Sequence, residues 1–116
     1  MNARVLERIV RFGSGWIPWG PAAQDLASSI GQVREALAAA GRDTAGFQVA
    51  GRLPVVKGDD GEIDLPRTMD RVPAQMEMGV TDFRAYLPLP EERSAATDRL
   101  AEVVNAFRAV VGPADP

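Results

Sequence analysis

The sequence predicts an α/β protein of about three parallel βα units with flanking helices, and three observations predict it. Short apolar or β-branched runs alternate with longer segments whose apolar residues recur at helical steps of three and four. Glycine or proline bounds nearly every segment, so the alternation is punctuated. The 116 residues, 46% hydrophobic and 25% charged, suit one globular domain spanning 1–116 and not a disordered tail. Alternating strands and helices of this length imply parallel strands joined by right-handed crossovers.

Val5, Leu6, Ile9, Val10 and Phe12 repeat at helical spacing between Arg4, Glu7, Arg8 and Arg11, and Gly13 offers a left-handed stop. Gly15-Trp16-Ile17-Pro18-Trp19 is too brief for a helix and is flanked by turn formers, which predicts a short buried strand. From Ala22 to Ala40, Leu26, Ile30, Val33 and Leu37 form one apolar stripe that Gly41 closes. Phe47–Val56 begins with alternation and β-branched residues, a strand that Pro54 ends or bends. Lys57–Glu62 is a polar turn cluster with Asp60-Gly61 at a hairpin tip. Leu65, Met69, Val72 and Met76 are again helical, with Asp64 as cap, Gly79 as stop and a kink or restart at Pro73. Val80–Leu87 is a β-rich run halted by Pro88 and Pro90. Leu100, Val103, Val104, Phe107, Val110 and Val111 make a terminal helix ended by Gly112-Pro113.

Composition narrows the chemistry. Thirteen Lys and Arg against 16 Asp and Glu give a net charge of -3 with no basic block, which speaks against nucleic acid and against a polybasic membrane anchor. Without Cys there are no disulfides, iron–sulfur clusters, thiolate nucleophiles or Cys-based zinc sites; without His the usual neutral-pH base and commonest metal ligand are missing. The first residues, MNARVLERIVRFG, lack the apolar run of a signal peptide, and no stretch is long and apolar enough for a membrane span, so the expectation is a cytoplasmic chain. Catalysis would need carboxylates, Arg, Lys, Tyr, backbone groups or a borrowed cofactor.

A complete eight-stranded βα barrel needs about 250 residues, so three units need about 95, and a leading helix and short tail bring the sum near this length. The arithmetic equally suits a small standalone three-strand layer. Asp59, Asp60, Glu62 and Asp64 could attract a hard cation, but the calcium-loop spacing fails and a solvated turn is the simpler account, so no metal site is expected. Gly13-Ser14-Gly15 has a phosphate-loop look in the wrong order, helix before strand, and is better explained as a helix stop. Trp16 and Trp19, three apart in a strand, point to opposite faces, one into the core and the other to the strand's carboxyl end. Arg52, a cation after Gly51 in an apolar run, either meets an anionic ligand or projects from an edge. Tyr86, the one tyrosine, is expected as a core ring whose hydroxyl reaches the rim. Met69, Met76 and Met78 are expected to pack their helix.

Arg8–Pro21, RIVRFGSGWIPWGP, and Ile30–Gly41, IGQVREALAAAG, followed by Arg42-Asp43 and a strand, resemble the C-terminal part of the luciferase-like monooxygenase family. Within it, the deazaflavin F-420-dependent actinobacterial oxidoreductases are the nearer likeness. Ala74–Phe83 is similar to that family's small-residue helix, Gly-Val and Asp before the last strand. The resemblance spans nearly the whole chain, and its Gly-Trp-Ile-Pro element is the more specific part. It implies a TIM-type (β/α) barrel and oxygenation or hydride transfer by reduced FMN or F-420, the cofactor carrying the hard step.

In that family a glycine- and serine-bearing loop before the helix matched by Asn2–Phe12 binds the cofactor phosphate. Met1-Asn2 stands at that place here, and the early strands with their catalytic positions have no counterpart. No catalytic residue therefore carries over, and Trp19, Arg52 and Tyr86 remain as candidates for a cofactor-binding rim. The implied protein is a partial barrel, a truncated flavin- or F-420-dependent oxidoreductase not competent alone; the alternative is a non-catalytic binding or oligomerisation module derived from that fold. A further possibility is a piece of a longer gene product. Unpaired edges and an uncovered apolar sheet face would favour a homo-oligomer or a chain supplying the missing barrel half.

Overall fold

In chain order the elements are α1 (Ala3–Phe12), β1 (Gly15–Trp16), α2 (Pro21–Gln24), α3 (Leu26–Ala39), β2 (Gln48–Arg52), α4 (Leu65–Met69), α5 (Val72–Met78), β3 (Asp82–Arg84) and α6 (Arg93–Val111). They are taken from a computed structural model that describes residues 1–113. The strands form one parallel sheet ordered β1-β2-β3, with Gly15 opposite Gln48 and Trp16 opposite Val49. The chain is thus a mixed α/β protein, as the alternation predicts. Two compact units are distinguished: Met1–Gly51 with Gln75–Arg84, and Arg52–Ala74 with the chain from Ala85 onward.

In the first unit, α3 presents the stripe read from its periodicity. Ile30, Val33 and Leu37 are buried with Ile9 of α1, Phe47, Val49 of β2 and Val80, while Leu6, Val10, Trp16, Leu26 and Phe83 pack around them. Because Trp16 and Val49 are register partners, they share the sheet face that meets the helices. Arg42, just beyond α3, holds the end of α1. Its Nη1 donates to the Ile9 and Val10 carbonyls at 3.0 and 2.8 Å, and its Nη2 donates to the Gly13 carbonyl at 2.7 Å. The Ile9 carbonyl also accepts the Gly13 N–H at 2.9 Å, whereas the Val10 carbonyl is one that a helix end leaves without an intrahelical partner.

Gly13 stops α1, but not in the left-handed conformation expected of it; its φ is -75° and its ψ 133°. Glycine is required there by proximity: a Cβ would lie 2.8 Å from the Ile9 carbonyl oxygen. Gly41 and Gly79 do take positive φ, +70° and +106°, and close α3 and α5 as predicted.

The expected strands are all shorter in fact. The first ends at Trp16, since Pro18 has no N–H for a ladder, so Trp19 lies outside any strand and the opposite-face argument does not apply to it. β1 and β3 are sheet edges and pair on one side only. Thr81 lengthens the β3 side by its side chain: its N–H donates to the Val49 carbonyl at 3.0 Å and its Oγ1 accepts the Val49 N–H at 2.8 Å. The expected single helix Ala22–Ala40 is broken at Asp25 into α2 and α3.

In the second unit, Lys57 and Ile63 bridge antiparallel around a turn in which the Gly61 N–H donates to the Gly58 carbonyl at 3.0 Å. Gly61 follows in the left-handed region at φ +80°, the bulge expected of a three-residue hairpin loop. Asp64 caps α4 by accepting the Arg67 N–H at 3.0 Å. The helical pattern restarts at Val72 with Pro73 in its first turn, as predicted. The interruption shifts the register, so Met69 is buried while Met76 and Met78 are exposed, against the packing role expected of all three methionines. α4 packs on α6, and none of the α6 residues is fully buried.

Candidate functional site

A βα protein binds ligands where its strands end and helices begin, because the first N–H groups of each helix are unpartnered and point at the ligand. The three strand-to-helix junctions therefore decide what the chain can hold. After β1 comes α2, four residues long with Pro21 at its start and so one donor fewer; α3 then begins behind the carboxylate of Asp25. After β2 comes α4, whose cap Asp64 occupies the Arg67 N–H. After β3 comes α6, where the Glu92 carboxylate accepts the Ser94 N–H at 2.8 Å and the Ala95 N–H at 2.7 Å. Those bonds hold the Glu92 pKa below its ordinary value of 4.5, the Ser94 bond foremost. Glu92 was not visible as a site feature in the sequence, since glutamate is not a preferred N-cap.

The structure places the three rim candidates as follows. Trp19 lies three residues past β1, Arg52 is the last residue of β2, and Tyr86 lies two residues past β3. Trp19 is 80% exposed and Tyr86 79% exposed. Tyr86 thus departs from the core ring expected of it, because β3 ends at Arg84 and leaves it on an irregular segment. Arg52 is exposed and already engaged in an interaction of its own. None of the three lines the hollow between the Lys57–Ile63 hairpin and Arg99.

One concavity of about 260 Å³ is walled by Lys57, Ile63, Pro88, Leu89, Pro90 and Arg99. The Arg99 guanidinium, missed in the sequence, reaches Glu62 at 3.1 Å and Glu102 at 3.3 Å. Both of its arms are therefore committed to carboxylates, and its charge is balanced before any ligand arrives. The Asp59–Asp64 carboxylates serve the turn: Asp60 accepts the Glu62 N–H at 3.0 Å, and Asp64 is the α4 cap. Among the described residues no three acidic side chains gather closely enough to hold a metal ion.

The sheet face turned from the helices is polar. On β2 it carries Gln48, Ala50 and Arg52, which alternate with Val49 and Gly51, and on β3 Asp82 and Arg84, the alternates of Phe83. Among the described residues this face therefore does not show the uncovered apolar surface expected from the sequence. Among the described residues no helix is long and apolar enough to cross a membrane. Comparison with protein-family models, curated proteins and solved structures finds no match to the chain.

Proposed function

We propose that the chain is the C-terminal portion of a luciferase-like (β/α) barrel oxidoreductase, supplying about three βα units and not competent alone. The observation that carries this is the placement of Trp19, Arg52 and Tyr86 at or just past the carboxyl ends of three parallel strands in sequential order. In a βα barrel that end is the ligand end. The packing of α1 on α3, the helices before and after β1, agrees with successive units of such a barrel.

The residues present do not by themselves fit FMN or F-420. A cofactor phosphate needs free N–H donors, and at two junctions Asp64 and Glu92 already take them, while Pro21 removes one at the third. Each acidic cap would also repel a phosphate. No flavin chemistry is assigned to residues of this chain, and the cofactor phosphate would have to be held by the missing units. A second reading, a non-catalytic binding or oligomerisation module, is favoured by the polar open sheet face, which a free-standing three-strand layer needs.

Titrating the chain with FMN and with F-420 while following Trp16 and Trp19 fluorescence separates the two. The first reading expects no saturation of the chain alone up to millimolar cofactor and micromolar binding once a chain carrying the preceding βα units is co-expressed. Failure of that chain to form a complex overturns it and leaves the module.

A further inference from the structure

We propose that the outer face of α1 docks a second copy of this chain through that copy's acidic hairpin, Gly58–Asp64. The proposal does not depend on the oxidoreductase reading. On α1, Leu6, Ile9 and Val10 face the core, and helical spacing places Arg4, Arg8 and Arg11 together on the opposite side with Phe12 beside them. Phe12 is 77% exposed, its ring under the Arg11 guanidinium at 5.1 Å, and Arg4, Glu7, Arg8, Arg11 and Phe12 line a shallow concavity of about 330 Å³.

Arg11, in the last turn, suits the helix dipole, but Arg4 and Arg8 do little for the helix that carries them. Arg4 stands in the first turn, where the helix dipole disfavours a cation and where no acidic residue offsets it. Glu7 lies 3.6 Å from Arg11 with both side chains about two-thirds exposed, a pair worth little in water. Among the described residues no carboxylate pairs with Arg4 or Arg8. A cationic row flanked by an exposed aromatic ring is a surface built for a partner, enriched in the residue types that anchor interfaces.

The partner's chemistry follows from where the chain keeps its negative charge. The hairpin sets Asp59, Asp60, Glu62 and Asp64 around a concavity of about 470 Å³ with Ile63 on its wall. An acidic hollow with an apolar side matches a basic row with an aromatic knob: Phe12 meets Ile63 while Arg4 and Arg8 oppose Asp59 and Asp60. The contact is between unlike patches, so each copy offers one of each and the association is head-to-tail.

Sedimentation velocity of the full chain tests this with two charge reversals and one neutralised variant. Arg4→Glu/Arg8→Glu reverses the row at exposed positions, and Asp59→Lys/Asp60→Lys reverses the hairpin; Asp59→Asn/Asp60→Asn removes its charge while keeping the acceptor for the Glu62 N–H. Circular dichroism confirms that each is folded. Wild type should self-associate at low salt and weaken about tenfold or more as salt rises to about 0.5 M, since exposed charges are screened. Each reversal alone should be monomeric, and an equimolar mixture of the two should associate again. A wild type that stays monomeric at low salt, an association indifferent to salt, or a mixture that fails to recover overturns the proposal. So does binding of phosphatidylserine vesicles lost only in the arginine variant, which would make a lipid surface the partner.

Discussion

Replacing Arg42 with methionine should loosen the first unit at one identifiable place. The Met side chain keeps the apolar stem and removes three charged hydrogen bonds, of 3.0, 2.8 and 2.7 Å, to carbonyls at the end of α1. The Ile9 carbonyl keeps the Gly13 N–H at 2.9 Å, so two acceptors lose their only described partner. Charge-assisted bonds contribute about 1.5–3 kcal/mol each, but water reaches these part-buried carbonyls, so the net loss for the set is about 2–3 kcal/mol. For a unit of this size that lowers the midpoint by about 10–20 °C. Urea and thermal unfolding followed by Trp16, which packs on this core, read the change. Arg42→Lys, a point charge that cannot fork to three acceptors, should fall between the two. A methionine variant within about 0.5 kcal/mol of wild type would refute the idea that Arg42 fastens α1.

Other substitutions probe the sheet and the α6 cap. A Cβ at Gly51 would lie 2.7 Å from Gln75 Oε1 and 2.8 Å from Val80 Cγ1, so Gly51→Ala should cost about 1–3 kcal/mol by calorimetry; no loss would show that the neighbours yield freely. Thr81→Val strands the buried Val49 N–H and should cost about 1–2 kcal/mol, with Thr81→Ser close to wild type; equal effects would deny the hydroxyl its role. Glu92 has a lowered folded pKa, so its cap contributes fully above the unfolded value of 4.5 and is lost as pH falls through the lower folded value. Protection of the Ser94 and Ala95 amides, relative to their intrinsic exchange rates, should fall with that drop in wild type and lose this pH dependence in Glu92→Gln; identical profiles would exclude the carboxylate.

What the sequence showed and what it hid divide by range. The α3 stripe, the Asp64 cap, the Gly41 and Gly79 stops and the Lys57–Glu62 turn cluster are settled within a few residues, so periodicity and turn chemistry found them, although the tip falls at Asp59-Asp60 and not at Asp60-Gly61. Strand length depends on having a neighbour to pair with, which no local pattern records, and β1 shrank to two residues at a sheet edge. Arg42 looked like part of a family-like helix ending; its role lies some 30 residues away on α1, where spacing gives no hint. Tyr86 shows the same limit, since a β-rich run reads as buried until the strand proves too short to carry it inward.

The polar face of the sheet bears most directly on the choice between a partial barrel and a free-standing layer. Barrel interiors are filled mainly by branched apolar side chains, whereas β2 and β3 offer Gln48, Ala50, Asp82 and Arg84. Closing a barrel over them would bury Arg84, which is tolerable only with a paired anion, and Asp82, whose carboxylate accepts the Thr81 hydroxyl at 2.7 Å. A complementing chain must therefore bring a carboxylate or a ligand anion to Arg84, not shape alone. In a free layer Arg84→Leu leaves stability within about 0.5 kcal/mol, because the guanidinium is solvated. In a co-expressed complex that completes the barrel, the same change strands the partner's anion and should cost about 3–5 kcal/mol of assembly, read as loss of the complex on dilution. A complex formed equally well by Arg84→Leu and wild type would mean that this face never becomes a barrel interior.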